Sequence, residues 1–288
     1  MKDIKELLKH LNLEKIEENL FRGQSASIGS SRVFGGQVLA QALSAAILTV
    51  PEERVIHSLH AYFVLAGDIN YPIVYEVDLI RDGGSFTTRS IKAIQKGRPI
   101  FNMSASFHIR EEGYSHQIDM PQVPPPEELA NEEEIAKTYR DKWPESFKKF
   151  HTIDRPIEFR PVEPYDPLNP GKRSPYRQVW FKTKGKMPKD QTTHQRVLAY
   201  ASDYQLLGTA IFPHGDVINF SNIQMASLDH AMWFHRAFRV DEWLLYDLDS
   251  PSTSSARGLC RGNIFTKDGK LVASVVQEGL IRPWNKSK

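Results

Sequence analysis

The apolar positions change period several times along the chain, and each change marks an element. Ile4, Leu7, Leu8 and Leu11 recur at helical spacing and predict a short amphipathic helix at the start. Val38 to Leu48 is Ala-rich and apolar on most of its circumference, ends at Pro51 and predicts a buried helix. The pattern then becomes β. His57–Val64, Ile73–Ile80, Ser85–Ile94 and Ile100–Ile109 are short strands, separated by turn signals such as Asp82-Gly83-Gly84 and Lys96-Gly97. From about Glu111 to Pro175 the pattern lapses. Prolines and charges crowd this stretch, which reads as a connector with a helix at Glu127–Tyr139 and an extended piece at Pro156–Val162.

The second half repeats the first. A strand at Val179-Trp180-Phe181 precedes a helix running from His194 through Leu207, on which Ala199, Leu206, Leu207 and Ala210 form one apolar stripe. Strands follow at Ile223–Phe234, Trp243–Leu248, Ala256–Phe265 and Leu271–Ile281. Val197-Leu198-Ala199 aligns with Val38-Leu39-Ala40, and Thr253–Arg257 aligns with Ser85–Arg89. One long helix beside antiparallel strands, twice, predicts an α+β layer architecture built by duplication. The expected units are residues 1–115 and 176–288, joined by a Pro-rich connector over 116–175.

Asp203 lies on the apolar stripe of the second helix. A carboxylate on a buried face must be paired, hydrogen-bonded or functional, and the helix alone does not decide which. The alignment sets Asp203 against Ser44, and Gln277-Glu278 against the region of Ala105 and Ser106. Polar groups present in only one copy point to a single working site carried by the second unit.

Composition narrows the classes. With 40% hydrophobic and 25% charged residues in 288, the chain is long enough for real cores, and a net charge of +2 gives no reason to expect nucleic acid. The single cysteine, Cys260, excludes an intrachain disulfide and reads as a small buried strand residue. No apolar run approaches the length of about 18 residues that a membrane span needs. Acids and lysines interrupt the N-terminus, so no signal peptide is expected. The C-terminus, Asn285-Lys286-Ser287-Lys288, does not match the Ser-Lys-Leu peroxisomal address, and a cytoplasmic protein is expected. Gly35-Gly36 lacks the context of a dinucleotide or P-loop motif. Ser227 with Asp229 and His230 suggests a serine hydrolase triad, but the three are sequence neighbours and no Gly-x-Ser-x-Gly elbow exists. His57 with His60, and His230 with His235, lack zinc-like partners. Asp229 reads as a surface or turn-capping acid rather than a catalytic one, and Trp233, Phe234 and Trp243 as core.

Phe34-Gly35-Gly36-Gln37, Tyr200-Ala201-Ser202-Asp203, the run from Ser227 to Arg236 and Val276-Gln277-Glu278-Gly279 together resemble the acyl-CoA thioesterase II (TesB-like, double-hotdog) family. The resemblance covers Leu7 to Arg282. It implies two fused hotdog units, each a long helix wrapped by an antiparallel β-sheet. It implies hydrolysis of fatty acyl-CoA to free fatty acid and CoA, without cofactor, metal or covalent intermediate. The family's catalytic Asp, hydroxyl residue and Gln fall on Asp203, Ser227 (Thr in close relatives) and Gln277. An Asp can serve as base towards water, and a hydroxyl and an amide can orient that water. The oxyanion would sit at backbone amides near Gly35-Gly36 or the Ser227 strand. Arg89, Arg257 and Arg261 are candidates for the CoA phosphates, although Arg89 and Arg257 recur in both halves as structural residues would. The implied partners are the acyl-CoA substrate and further copies of the chain, as a dimer or tetramer. A hotdog-fold enoyl-CoA hydratase or dehydratase and a non-catalytic acyl-CoA binding protein stay open as alternatives.

Overall fold

The computed structural model describes residues 1–145, 147–148, 154–218 and 222–284. The C-terminal tetrapeptide weighed above as an organelle address lies outside them. Helix α1 (Ile4–Leu11) begins at Asp3, whose carboxylate accepts the Glu6 amide. Hairpin β1 (Glu14–Glu17) and β2 (Leu20–Gly23) follows. Helix α2 (Gly35–Ile47) is buried from Gly36 to Ala46. Four strands come next, β3 (Val55–Phe63), β4 (Ile73–Asp82), β5 (Phe86–Gln95) and β6 (Arg98–His108). The β5–β6 turn sits at Lys96-Gly97, both with positive φ (52° and 72°), which suits a tight hairpin and needs the glycine.

In the connector, α3 (Glu132–Tyr139) starts with a capping box on Asn131 and Glu134, and β7 (Ile157–Pro161) is the extended piece. The second half contains β8 (Tyr176–Thr183), α4 (Gln191–Ser202), β9 (Ile223–Ser227), β10 (Asp229–Phe234), β11 (Leu244–Ser254), β12 (Arg257–Thr266) and β13 (Leu271–Pro283). All strands join one antiparallel sheet in the order β1-β2-β4-β5-β6-β3-β10-β13-β12-β11-β8-β7, with β9 paired to β13. The order reads the same way outward from the β3–β10 seam, so the two halves are related by an approximate twofold through it. The sheet wraps α2 and α4, which pack against each other inside. At their crossing a Cβ on Gly36 would stand 2.4 Å from the Tyr200 carbonyl oxygen, so only glycine allows this approach.

Two expectations need correction. The second long helix does not run through Asp203. It ends at Ser202, whose hydroxyl lies 3.0 Å from the Ala199 carbonyl oxygen, and Asp203 is its C-cap. Gln205 then has φ 68°, which no right-handed helix tolerates, and Leu207–His214 continues as a separate 3-10 segment. The strand expected at Ile223–Phe234 is two strands broken at Leu228. The connector docks on the second half. Trp180, Leu245 and Phe265 form a second apolar cluster under Met120, Val123 and Leu129, and Trp180 Nε1 donates to the Pro124 carbonyl. Of the aromatics expected in the core, Phe234 is buried. Trp233 is half-buried edge-on to His60, and Trp243 is half-buried in the second cluster.

Among the described residues, five histidines bear on stability. Burial lowers the proton affinity of His10, His57, His194, His230 and His235 below the ordinary value of 6.5. Each then binds its proton more readily in the unfolded chain, so stability is complete above 6.5 and falls as the pH drops below it. Asp229 and Asp247, raised by burial, act in the opposite sense but nearer their own value of 3.8. Thermal melts at pH 7.5, 6.5 and 5.5 should therefore give a falling midpoint; a midpoint that is level or rises towards acid would contradict this.

Candidate active site

Asp203 stands where three parts of the fold meet. The C-terminus of α4 carries it, the N-terminus of α2 faces it, and β9 and β13 lie beside it. Helix α2 has no side-chain cap from its own segment. Instead the Gly36 amide donates to Asp203 Oδ2 at 2.8 Å, across 167 residues. The positive end of the α2 dipole favours a carboxylate at this point. Gly35 is needed as well, because a Cβ there would stand 2.7 Å from Oδ2 and 3.0 Å from the Phe63 ring. Gly36, expected among the oxyanion donors, thus holds the carboxylate.

The other carboxylate oxygen, Oδ1, accepts from Gln277 Nε2 at 3.0 Å and from Ser227 Oγ at 3.3 Å. The three residues singled out in the sequence therefore converge on one atom. Ser227 reaches it through an irregular strand. In β10, Ala231 pairs with Val276, whereas in β9 Ser227 pairs with Gly279, so the register shifts by one residue at Leu228. Such a bulge reverses which face a side chain takes. Without it, Ser227 and His230 would point to opposite faces; with it, both face inward. Asp229 braces the bulge by accepting the Glu278 amide at 2.6 Å, and burial raises its proton affinity.

A cavity of about 810 Å³ opens onto Asp203 and Ser227. Its walls are largely apolar and include Val33, Phe34, Phe63, Ile135 of α3 and Met225. That size and lining suit a flexible apolar chain. Gln277 is fully buried and holds the carboxylate from behind. Tyr204 also lines the cavity; burial pushes its phenol up to about 12, and its hydroxyl lies 3.0 Å from that of Tyr200.

The remaining candidates fall elsewhere. Cys260 is buried in β12, and burial pushes its thiol up to about 11, which suits a structural residue. Arg89, 2% exposed, pairs with Asp82 at 2.7 Å and donates to the Thr49 carbonyl. Arg257 pairs with Glu278, and Arg261 with Asp249. His57 contacts Ser106 and His235 contacts Ser274. His230 is fully buried and bonds Ser202. It does not join Ser227 and Asp229 in a relay.

The chain matches two models of one family. Residues 22–108 match the acyl-CoA thioesterase N-terminal domain, and residues 146–280 match the acyl-CoA thioesterase family. It is 42% identical over 283 residues to acyl-CoA thioesterase 2 of Haemophilus influenzae, covering 98% of this chain and 99% of that one. A solved acyl-CoA thioesterase II, TesB2 of Mycobacterium marinum, superposes with a TM-score of 0.79 at 42% identity, covering 97% and 99% of the two chains. A hot dog fold protein from Alicyclobacillus acidocaldarius gives a TM-score of 0.74 at 18% identity over 95% and 96%, a likeness of fold.

Proposed function

The chain belongs to the acyl-CoA thioesterase family, hydrolyses acyl-CoA thioesters on a double-hotdog fold, and on that premise we propose that Asp203 is the base that activates the attacking water. The convergence of Gln277, Ser227 and the Gly36 amide on its carboxylate carries this reading. A carboxylate offers about four acceptor sites, and three are occupied here. The Ser227 contact, at 3.3 Å, is long for a hydroxyl donor and is the one most easily opened. A water entering from the cavity takes a place between Ser227 Oγ and the carboxylate. Asp203 removes its proton as its oxygen attacks the thioester carbon. Collapse of the tetrahedral intermediate breaks the C–S bond, and CoA leaves as the thiolate. Ser227 orients the water, and Gln277 and Gly36 keep the carboxylate in place.

The apolar cavity walls favour fatty acyl chains as substrates. The reading assigns residues 1–115 to a unit that supplies cavity wall and the Gly36 amide, 116–175 to a connector, and 176–288 to the unit bearing Asp203, Ser227 and Gln277. It also takes the protein to be cytoplasmic and a homo-oligomer. Exposed Tyr62, Leu79, Ile80 and Phe86 give its strands apolar surface for such assembly, and among the described residues no helix is long and apolar enough to cross a membrane. The dehydratase alternative, which needs a histidine opposite a carboxylate in the cavity, gains no support from His230, which does not line it.

Replacing Ser227 tests the assignment. Loss of a hydrogen bond to a charged group or to its water is worth about 1.5–3 kcal/mol, or roughly tenfold to a hundredfold in rate. Ser227→Ala should lower kcat for CoA release by that factor, while Ser227→Thr, which keeps the hydroxyl, should stay near wild type. An Ala variant as fast as wild type would remove Ser227 from the mechanism.

A further inference from the structure

Gln277 can hold Asp203 only if its amide is the right way round. Nε2 must face the carboxylate, because Oε1 there would set two acceptors against each other. The carboxylate disfavours the flip from its own side, and a donor behind the amide would hold the orientation from the other. The residue behind is His230. The pairing of Ala231 with Val276 and Met232 with Val275 sets His230 beside Gln277 on the inward face of neighbouring strands. Both residues are 0% exposed. His230 Nδ1 and Gln277 Oε1 are both buried, and each stands without a hydrogen-bond partner. Across the twofold, the corresponding neighbours are Leu59 and Ala105, paired in β3 and β6 and both buried. The polar pair thus occurs only in the half that carries Asp203.

We propose that His230 is a positioning residue whose Nδ1–H donates to Gln277 Oε1 and so fixes the amide with its Nε2–H towards Asp203. This deepens the Asp203–Ser227–Gln277 reading and rests on it. The other ring nitrogen sets the tautomer. Ser202 Oγ lies 3.0 Å from His230 Nε2 and 3.0 Å from the Ala199 carbonyl oxygen, and a hydroxyl has one proton. If that proton went to Ala199, a neutral ring would carry its hydrogen on Nε2 and turn a bare Nδ1 towards Oε1. Donation from Ser202 to Nε2 instead leaves the hydrogen on Nδ1, where Gln277 accepts it. Burial favours the neutral ring, against the pull of Asp203 and Gln277. The chain of donors then runs from Ser202 through His230 and Gln277 to the carboxylate. Tyr246, whose hydroxyl donates to the Ser202 carbonyl at 3.0 Å, pins its origin.

The test uses the full-length enzyme and CoA release from a fatty acyl-CoA. An Asn side chain can place an N–H where Nδ1–H was, and a Gln side chain can replace only Nε2. His230→Leu and His230→Gln should each lower kcat about tenfold to a hundredfold, the loss typical when an outer partner of an active-site group is removed, with KM within about twofold. His230→Asn should recover most of the activity. In a Gln277→Leu background, His230→Leu should add no further loss. Should the Leu variant fail to fold, the contrast of Asn with Gln decides. Equal activity of the Asn and Gln variants, or a His230 effect that persists in full without Gln277, would overturn the inference while leaving the triad intact. A Gln277→Leu enzyme as fast as wild type would overturn the reading of Gln277 itself, and the role of His230 with it.

Discussion

Asp203→Asn should leave a folded protein whose kcat for CoA release is about a thousandfold below wild type. General-base assistance contributes about 10² to 10⁴ in rate, and Asp203 is the one carboxylate assigned to that work. The substitution preserves shape, but it also changes the hydrogen-bond signs. Every group around the carboxylate is a donor: the Gly36 amide, Gln277 Nε2 and the Ser227 hydroxyl. An Asn can accept on one side only, so its own NH₂ meets a donor on the other. The flip of Gln277 that would relieve this conflict is the one His230 opposes. Asn therefore removes the base and disturbs the support around it. The stability change should stay within about 1 kcal/mol, because a partly buried charge is lost along with its bonds. A melt unchanged to within a few degrees, alongside the rate loss, separates chemistry from folding.

Gly36→Ala should damage folding and turnover together. In an ordinary helix the substitution would stabilise by about 1 kcal/mol through propensity. Here the new Cβ would stand 2.4 Å from the Tyr200 carbonyl oxygen and 2.6 Å from the Phe34 ring. The first neighbour is backbone of α4 and cannot swing aside. The two buried helices must separate, and overpacking of this kind typically costs about 1–3 kcal/mol. The clash should exceed the propensity gain, giving a net loss of about 1 kcal/mol and a melting temperature lower by a few degrees. Separation also draws the Gly36 amide away from Asp203 Oδ2. Turnover should fall about a hundredfold, as a displacement near 1 Å can cause. Chemical denaturation and CoA-release kinetics on one preparation check both halves, and a variant with raised stability and normal kcat would refute the crossing argument.

What sequence could reveal followed the range of the forces involved. Strands β3 to β6 and β11 to β13 were legible because alternation and hairpin turns are local signals, read within about ten residues. Asp203 was legible as an anomaly, a carboxylate among apolar positions in one copy of a duplicated pattern. The helix end was not. Ala199, Leu206, Leu207 and Ala210 are all buried as their spacing suggests, yet they belong to two segments, because periodicity cannot register a single backbone turn at Gln205. The bulge at Leu228 was hidden for a related reason. A run of residues with strand propensity does not reveal an extra residue until its partner strand is known, and this bulge decides that Ser227 faces Asp203. The Gly36 amide and the Gln277–His230 neighbourhood join residues tens to hundreds of positions apart, and only pairing across the sheet brings them together. The docking of the connector against Trp180 was not legible either, since proline density does not say what a segment packs against.

On the proposed mechanism Asp203 takes a proton from water and forms no acyl bond of its own. The most direct measurement is a rapid-quench single turnover with enzyme in excess over a fatty acyl-CoA, for wild type and Asp203→Asn. It follows CoA, fatty acid and the intact mass of the protein. Wild type should release CoA and fatty acid with one rate constant and never gain the mass of an acyl group, while the Asn enzyme slows both products equally. A burst of CoA ahead of the fatty acid, with an acyl adduct on the wild-type protein, would contradict that mechanism.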